Sequence, residues 1–220
     1  MIVSHHPANL TVVVKGSAFV NDVQDALKMH HQFIPIGPFC EGITIRDAIN
    51  HNLIGSFSNQ FGTIRNWLLN TNLQTSMGEF TTGADVMKNV SGYDLTRILI
   101  GSQGQLGVIV HATFKLLPIS KQPEPESPIE SGFRIITLPE NYSALIKKLR
   151  AMSLKILGYE SLGVIDILTE DLKLPDGVKS IQTEFKTDIL EIRKGIPIVP
   201  ELNLPSLNQR IIQLFEKSNI

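Results

Sequence analysis

The chain has 220 residues, 42% hydrophobic and 19% charged, the balance of an ordinary globular protein and not of a disordered one. Twenty Lys and Arg stand against 21 Asp and Glu, and a net charge of −1 leaves no basic surplus for neutralising phosphates, which argues against a nucleic-acid or anionic-membrane binder. The single cysteine, Cys40, closes no internal disulfide, no apolar run is long enough to span a bilayer, and no basic-then-apolar leader opens the chain, so the reading is a cytoplasmic protein without a membrane span.

From the N-terminus, the β-branched run LTVVVKG at 10–16 predicts a buried strand ended by Gly16. Asn21 followed by Gln24 resembles a capping box, and Val23, Ala26 and Leu27 keep helical spacing, so a helix is expected over about 21–30. Residues 33–38 (FIPIGP) read as extended, because each proline keeps its predecessor out of the α region. A short helix is expected at 44–50 and a glycine-bounded loop at 56–62, while Trp67, Leu68 and Leu69 read as core. Leu95, Ile98 and Leu99 suggest a short helix closed by Gly101. Residues 108–117 alternate: Val108, Val110, Ala112, Phe114 and Leu116 face one way, His111, Thr113 and Lys115 the other, the pattern of a strand.

Pro118, Pro123, Pro125 and Pro128 then crowd together and predict an extended connector over 119–132. It divides a first part, 1–118, from a second, 133–220. The second part offers strands at 133–138 and 163–168, a helix opened by Asn141 and carrying Leu145, Ile146 and Leu149, and one or two strands within 180–192. A last helix is expected after Ser206. The order β-α-β-β-α suits a small ferredoxin-like sandwich, and the fold class is α+β.

The glycine cluster Gly101-Ser102-Gln103-Gly104-Gln105-Leu106-Gly107 is the first feature that asks for a function. Glycine allows positive φ and close approach of backbone to a ligand. The cluster is no Walker A loop, since no Lys-Ser/Thr follows, and no Rossmann fingerprint, since it leaves a helix and opens a strand. By itself it is a tight turn or a ligand cradle in equal measure. The pairs His5-His6 and His30-His31 read as surface histidines, because sequence neighbours seldom converge on one metal, and no metal site is expected. Cys40 lacks a basic partner nearby and reads as an inert thiol; Glu124, Glu126 and Glu130 read as solvated connector charge.

With its upstream neighbours the cluster forms KNVSGYDLTRILIGSQGQLGVIVHATFKLLP, residues 88–118. This run resembles the second FAD-binding subdomain of the vanillyl-alcohol oxidase/p-cresol methylhydroxylase (PCMH) flavoprotein superfamily, and looks most like the FAD-binding subunit of glycolate oxidase complexes. Thr44-Ile45, Asn52-Leu53-Ile54-Gly55 and Phe61-Gly62-Thr63-Ile64-Arg65-Asn66 resemble further elements of that family, so the likeness runs from about 10 to 118. It implies a mainly antiparallel sheet flanked by helices, followed by a reduced cap over 133–220. It also implies that Gly101, Gly104, Gly107 and Ile109 line the flavin through their backbone, with further contacts from Thr44, Ile45, Asn52, Gly62 and Thr63. Lys88, Asn89 and Asp94 either touch the flavin or fix the loop before the short helix.

The departures set the functional expectation. Only nine residues precede LTVVVKG, where the family places a pyrophosphate-binding subdomain; Arg46 and Asp47 replace a glycine pair; Asn66 replaces an Asp; and the C-terminal part is short for a full cap. The chain therefore reads as a truncated relative with an incomplete FAD site. The resemblance implies an oxidoreductase subunit for small 2-hydroxy acids such as glycolate or D-lactate, inactive alone and partnered by a flavoprotein chain or by copies of itself. The alternative is a non-catalytic partner subunit that keeps the fold and does not bind FAD by itself.

Overall fold

The computed structural model describes residues 1–83, 95–169, 173–185 and 187–198. The expected helix after Ser206 lies outside these residues, as do Lys88, Asn89 and Asp94. The first part runs β1 (Ile2–His6), β2 (Thr11–Lys15), α1 (Val20–Lys28), β3 (Gln32–Phe33), α2 (Ile45–Asn50), α3 (Ser58–Phe61), β4 (Leu68–Thr75), β5 (Gly78–Gly83), α4 (Thr96–Leu99), β6 (Val108–Lys115) and β7 (Leu117–Pro118). Its main sheet is antiparallel throughout, in the order β1-β2-β6-β4-β5. Alternation in TVVVK puts Val12 and Val14 on the core face, opposite Phe114 and Ala112 of β6. The helices α1 and α2 cover that face through Val20, Val23, Leu27, Ile45, Ala48 and Ile49.

The strand at 108–117 exists, but its faces differ from the expected ones. Asn72 pairs with His111 and Leu73 with Ile109, so Val110 is an extra residue in β6. Such a bulge shifts the side-chain alternation by one. Ile109 is therefore wholly buried beside Ala112 and Phe114, while Val108 is 48% exposed. Two smaller expectations also change. Asn21 does not cap α1: Phe19 is the N-cap, and Gln24 reaches out of the helix to the backbone of Ile34 and Ile36. The stretch 56–62 is not all loop, because Ser58–Phe61 makes a helical turn stopped by Gly62 at φ 78°.

The second part contains β8 (Ser131–Ile136), α5 (Pro139–Ala151), β9 (Ile156–Tyr159), β10 (Val164–Leu168), α6 (Val178–Phe185), β11 (Asp188–Arg193) and β12 (Ile196–Ile198). The sheet is again antiparallel, in the order β12-β11-β8-β10-β9. Its α-facing side, with Ile135, Ile165 and Ile167, packs on Leu145 and Leu149 of α5 and Val178 and Ile181 of α6. The expected strands in 180–192 are a helix and a strand. Val178, Ile181 and Phe185 recur at helical spacing and meet the same core. Helix α5 opens on Pro139, whose missing N–H is no loss in the first turn, and Asn141 lies inside it, donating to the Phe185 carbonyl.

The opposite side of this second sheet meets the first part. Arg134 on β8 and Asp166 on β10 form a buried bidentate pair there, with 2.7 and 2.6 Å contacts. Beside them Tyr159 is buried, and that burial with the Asp166 charge pushes its phenol above the ordinary range. Asn59 donates to the Gly158 carbonyl at 3.1 Å, and Ser56 Oγ accepts from Glu126 N at 3.2 Å. Cys40 Sγ lies 3.5 Å from the Ile129 carbonyl, and burial raises its thiol pKa, so the thiol stays protonated near neutrality.

Candidate functional site

The segment 101–107 leaves α4 and enters β6 as a turn stitched to the end of α2. Gly101 N donates to the Ile49 carbonyl at 3.0 Å, and Gln103 N to the Asn50 carbonyl at 2.9 Å. Gly101 and Gly104 have φ of 84° and 76°, the left-handed region glycine enters without strain. A Cβ on Gly104 would lie 3.1 Å from Asn50 Nδ2, and one on Gly107 only 2.7 Å from the Gln74 carbonyl oxygen. Gly101 faces Asn52, itself at φ 45°, whose side-chain Oδ1 is buried without a hydrogen-bond partner. That lone acceptor, next to bare glycine backbone, is the polar feature of this corner left unsatisfied.

The other residues predicted from sequence distribute as follows. Thr44 caps α2: its Oγ1 accepts from Asp47 N at 3.1 Å, and Asp47 accepts from Thr44 N at 3.0 Å, closing a capping box. Arg46 donates twice to the Ile109 carbonyl, at 3.1 and 3.2 Å. Both charged residues thus serve the fold. Ile45 and Ile109 are fully buried in the first core. Gly62 and Thr63 form a separate turn, in which Asn66 Oδ1 accepts from Thr63 N at 3.1 Å.

Two cavities border these elements. One of about 270 Å3 lies between the β4–β5 hairpin and α4, walled by Leu73, Phe80, Ile98, Leu99 and Leu106, and Gly107 lies on its rim. A larger cleft of about 590 Å3, between α1, Glu41 and Pro125, contains none of the residues predicted from sequence, so its size does not make it the site. Sequence reasoning passed over Asn50, which both receives Gln103 and underlies Gly104, and His51 beside it. Burial holds the His51 imidazole pKa below its ordinary value, partly offset by Asp47, so the ring stays neutral near pH 7. Nothing in the sequence links Asn50 to residues 101–104; only the fold brings the two together.

The sequence matches no protein-family model. It is 32% identical over 120 residues to the glycolate oxidase subunit GlcE of Escherichia coli (strain K12), covering 53% of this chain and 34% of that protein. It is 34% identical over 112 residues to the glycolate oxidase subunit GlcD of Bacillus subtilis (strain 168), covering 50% and 24%. It is also 32% identical over 111 residues to the D-lactate dehydrogenase of Archaeoglobus fulgidus, covering 50% and 25%. Its homologues are glycolate oxidase subunits and D-lactate dehydrogenases. The similarity spans about a third or less of the length of these relatives. Among solved structures, alkyldihydroxyacetonephosphate synthase aligns with a TM-score of 0.47 and 18% identity, over 70% of this chain and 26% of that one.

Proposed function

We propose that this chain is the second flavin-facing unit of an FAD-dependent oxidoreductase for small 2-hydroxy acids, the class of glycolate and D-lactate. The observation that carries the reading is the agreement of several relatives of that one chemistry over half of the chain. The site's own features fit a flat nucleotide cofactor. Bare backbone at Gly101 and Gly104 permits close approach, and the unpartnered Asn52 Oδ1 offers an acceptor to a ring N–H or amine. On this reading Gly101, Gly104, Gly107 and Asn52 hold the cofactor directly. Thr44, Ile45 and Ile109 act from behind, by fixing the cap of α2 and the bulge of β6, and Gly62 and Thr63 through their own turn; Lys88, Asn89 and Asp94 keep the roles the resemblance gives them. Bound FAD would supply the hydride acceptor for the carbon that bears the hydroxyl. Residues 1–118 form the flavin-facing part, 119–132 the connector and 133–220 the cap.

A second reading has its own support: a non-catalytic subunit in a flavoprotein complex. Two of the relatives are glycolate oxidase subunits, and Arg46 and Asp47 occupy the glycine positions with internal bonds already made. One experiment separates the two. The purified chain is mixed with FAD, with and without a co-expressed flavin-binding glycolate oxidase subunit, and the flavin absorption retained after gel filtration is measured. Flavin retained with the chain, and lost in Asn52→Leu, supports the first reading. Flavin carried wholly by the companion, and indifferent to Asn52→Leu, supports the second.

A further inference from the structure

We propose that His5 and His30 form a two-imidazole site for a divalent transition-metal ion of the Zn2+ and Ni2+ kind, clipping the edge strand β1 to the end of α1. Each sequence pair contributes one member: the His5 and His30 rings lie edge-on with centroids 4.7 Å apart. Two metal–nitrogen bonds of about 2.0–2.1 Å at a tetrahedral angle place ring centroids roughly 5 Å apart, a spacing the pair already has; rotation of the exposed His30 ring out of its edge contact would turn a nitrogen toward the ion.

The tautomer of His5 is already set. Gln32, only 8% exposed, donates its Nε2 to the Pro7 carbonyl at 3.0 Å, which turns its Oε1 toward His5 Nε2 at 2.8 Å. An amide oxygen only accepts, so the proton sits on Nε2 and the Nδ1 lone pair is left for a ligand. Metal-bound histidines are oriented in this way, their second ring N–H held by a fixed acceptor. Among the described residues no three His, Cys, Asp or Glu side chains converge, so water completes the coordination and the ion exchanges freely. Borderline cations that accept imidazole nitrogen are the fitting class, and hard Mg2+ or Ca2+ are not.

The test is a titration of the full chain with ZnCl2, and separately NiCl2, read by the imidazole resonances of the histidines. Saturable binding near one ion per chain, shifting His5 and His30 together, is expected. His30→Ala should weaken it at least about tenfold, and Gln32→Leu by about 10- to 100-fold, the usual cost of removing a ligand's outer partner. His6→Ala should leave it unchanged. His30 is exposed, so His30→Ala decides the matter if Gln32→Leu fails to fold. No saturable shift up to millimolar ZnCl2, wild-type affinity in His30→Ala, or equal loss in His6→Ala would overturn the proposal.

Discussion

Gly104 and Gly107 ask different things of the backbone, and a side chain tells them apart. At Gly104 a Cβ meets the end of the Asn50 amide at 3.1 Å, a group that can give way. At Gly107 it meets the Gln74 backbone oxygen at 2.7 Å with φ at 141°, so both space and backbone resist. Gly107→Val should cost roughly 2–6 kcal/mol from backbone strain and overpacking together, and Gly104→Ala about 1 kcal/mol. Urea denaturation of both variants checks this; a wild-type midpoint in Gly107→Val would show an ordinary turn. His51 predicts a pH effect. Its folded pKa lies below the ordinary value of 6.5, so the unfolded chain takes the proton first. The stability His51 contributes is whole above that value and is lost as pH falls through it toward the folded pKa. Relative to wild type, His51→Asn should lose less stability between pH 7.5 and 5.5, read as urea midpoints. An identical pH dependence in the two proteins would refute the burial argument.

At the scale of elements, legibility followed the side chains' chemistry. Residues 10–16 and 108–117 were readable because β-branched and aromatic residues alternate there, although the Val110 bulge, set by pairing across to β4, was invisible in one strand's sequence. Strand β4 was not readable: Asn70, Thr71, Asn72 and Gln74 look like loop. The strand nonetheless lies inside the sheet, between β6 and β5, because the polar groups of its buried residues are matched across it, Thr71 with Thr82 at 2.8 Å and Thr113 with Asn70 at 2.9 Å. No pattern along one segment reveals such partners. The same holds for Arg134 and Asp166, which read as ordinary charges in FRIITL and GVIDIL and meet only when β8 and β10 pair. Removing one partner leaves the other buried and uncompensated, so Asp166→Ala should cost about 3–5 kcal/mol. Replacing both by apolar residues of similar volume, Arg134→Met with Asp166→Leu, should recover most of that loss. A double variant no more stable than Asp166→Ala, in urea melts of all three proteins, would show that the pair does more than neutralise itself.

For the whole molecule, the two sheets are joined by one connector and by contacts from 37–59 to β8, β9 and the segment before them. The glycine corner lies at the far end of α2, with Asn50, Asn52, Leu73, Gln74 and Thr75 against its glycines. None of these five carries a positive charge, and Arg46, the nearest cation on α2, is committed to the Ile109 carbonyl. The residues that touch these glycines therefore suit the uncharged rings of a dinucleotide better than its pyrophosphate, and Arg97 on α4 is the cation next along the chain. Hydrogen bonds to charged oxygens are worth about 1.5–3 kcal/mol each, and two that must come from elsewhere amount to roughly 3–6 kcal/mol. That corresponds to about a hundred- to ten-thousand-fold in Kd. Set against a complete site of nanomolar affinity, the 220-residue chain by itself should therefore bind FAD at roughly 0.1–10 μM. Affinity should tighten by that factor when a companion chain supplies donors for the phosphates, and the pyrophosphate should add little to what the riboflavin and adenosine halves contribute to binding by the lone chain. Calorimetric titration of the chain with FAD, riboflavin and adenosine measures all three. Nanomolar FAD binding by the chain alone would mean that the phosphates find their cations within these 220 residues.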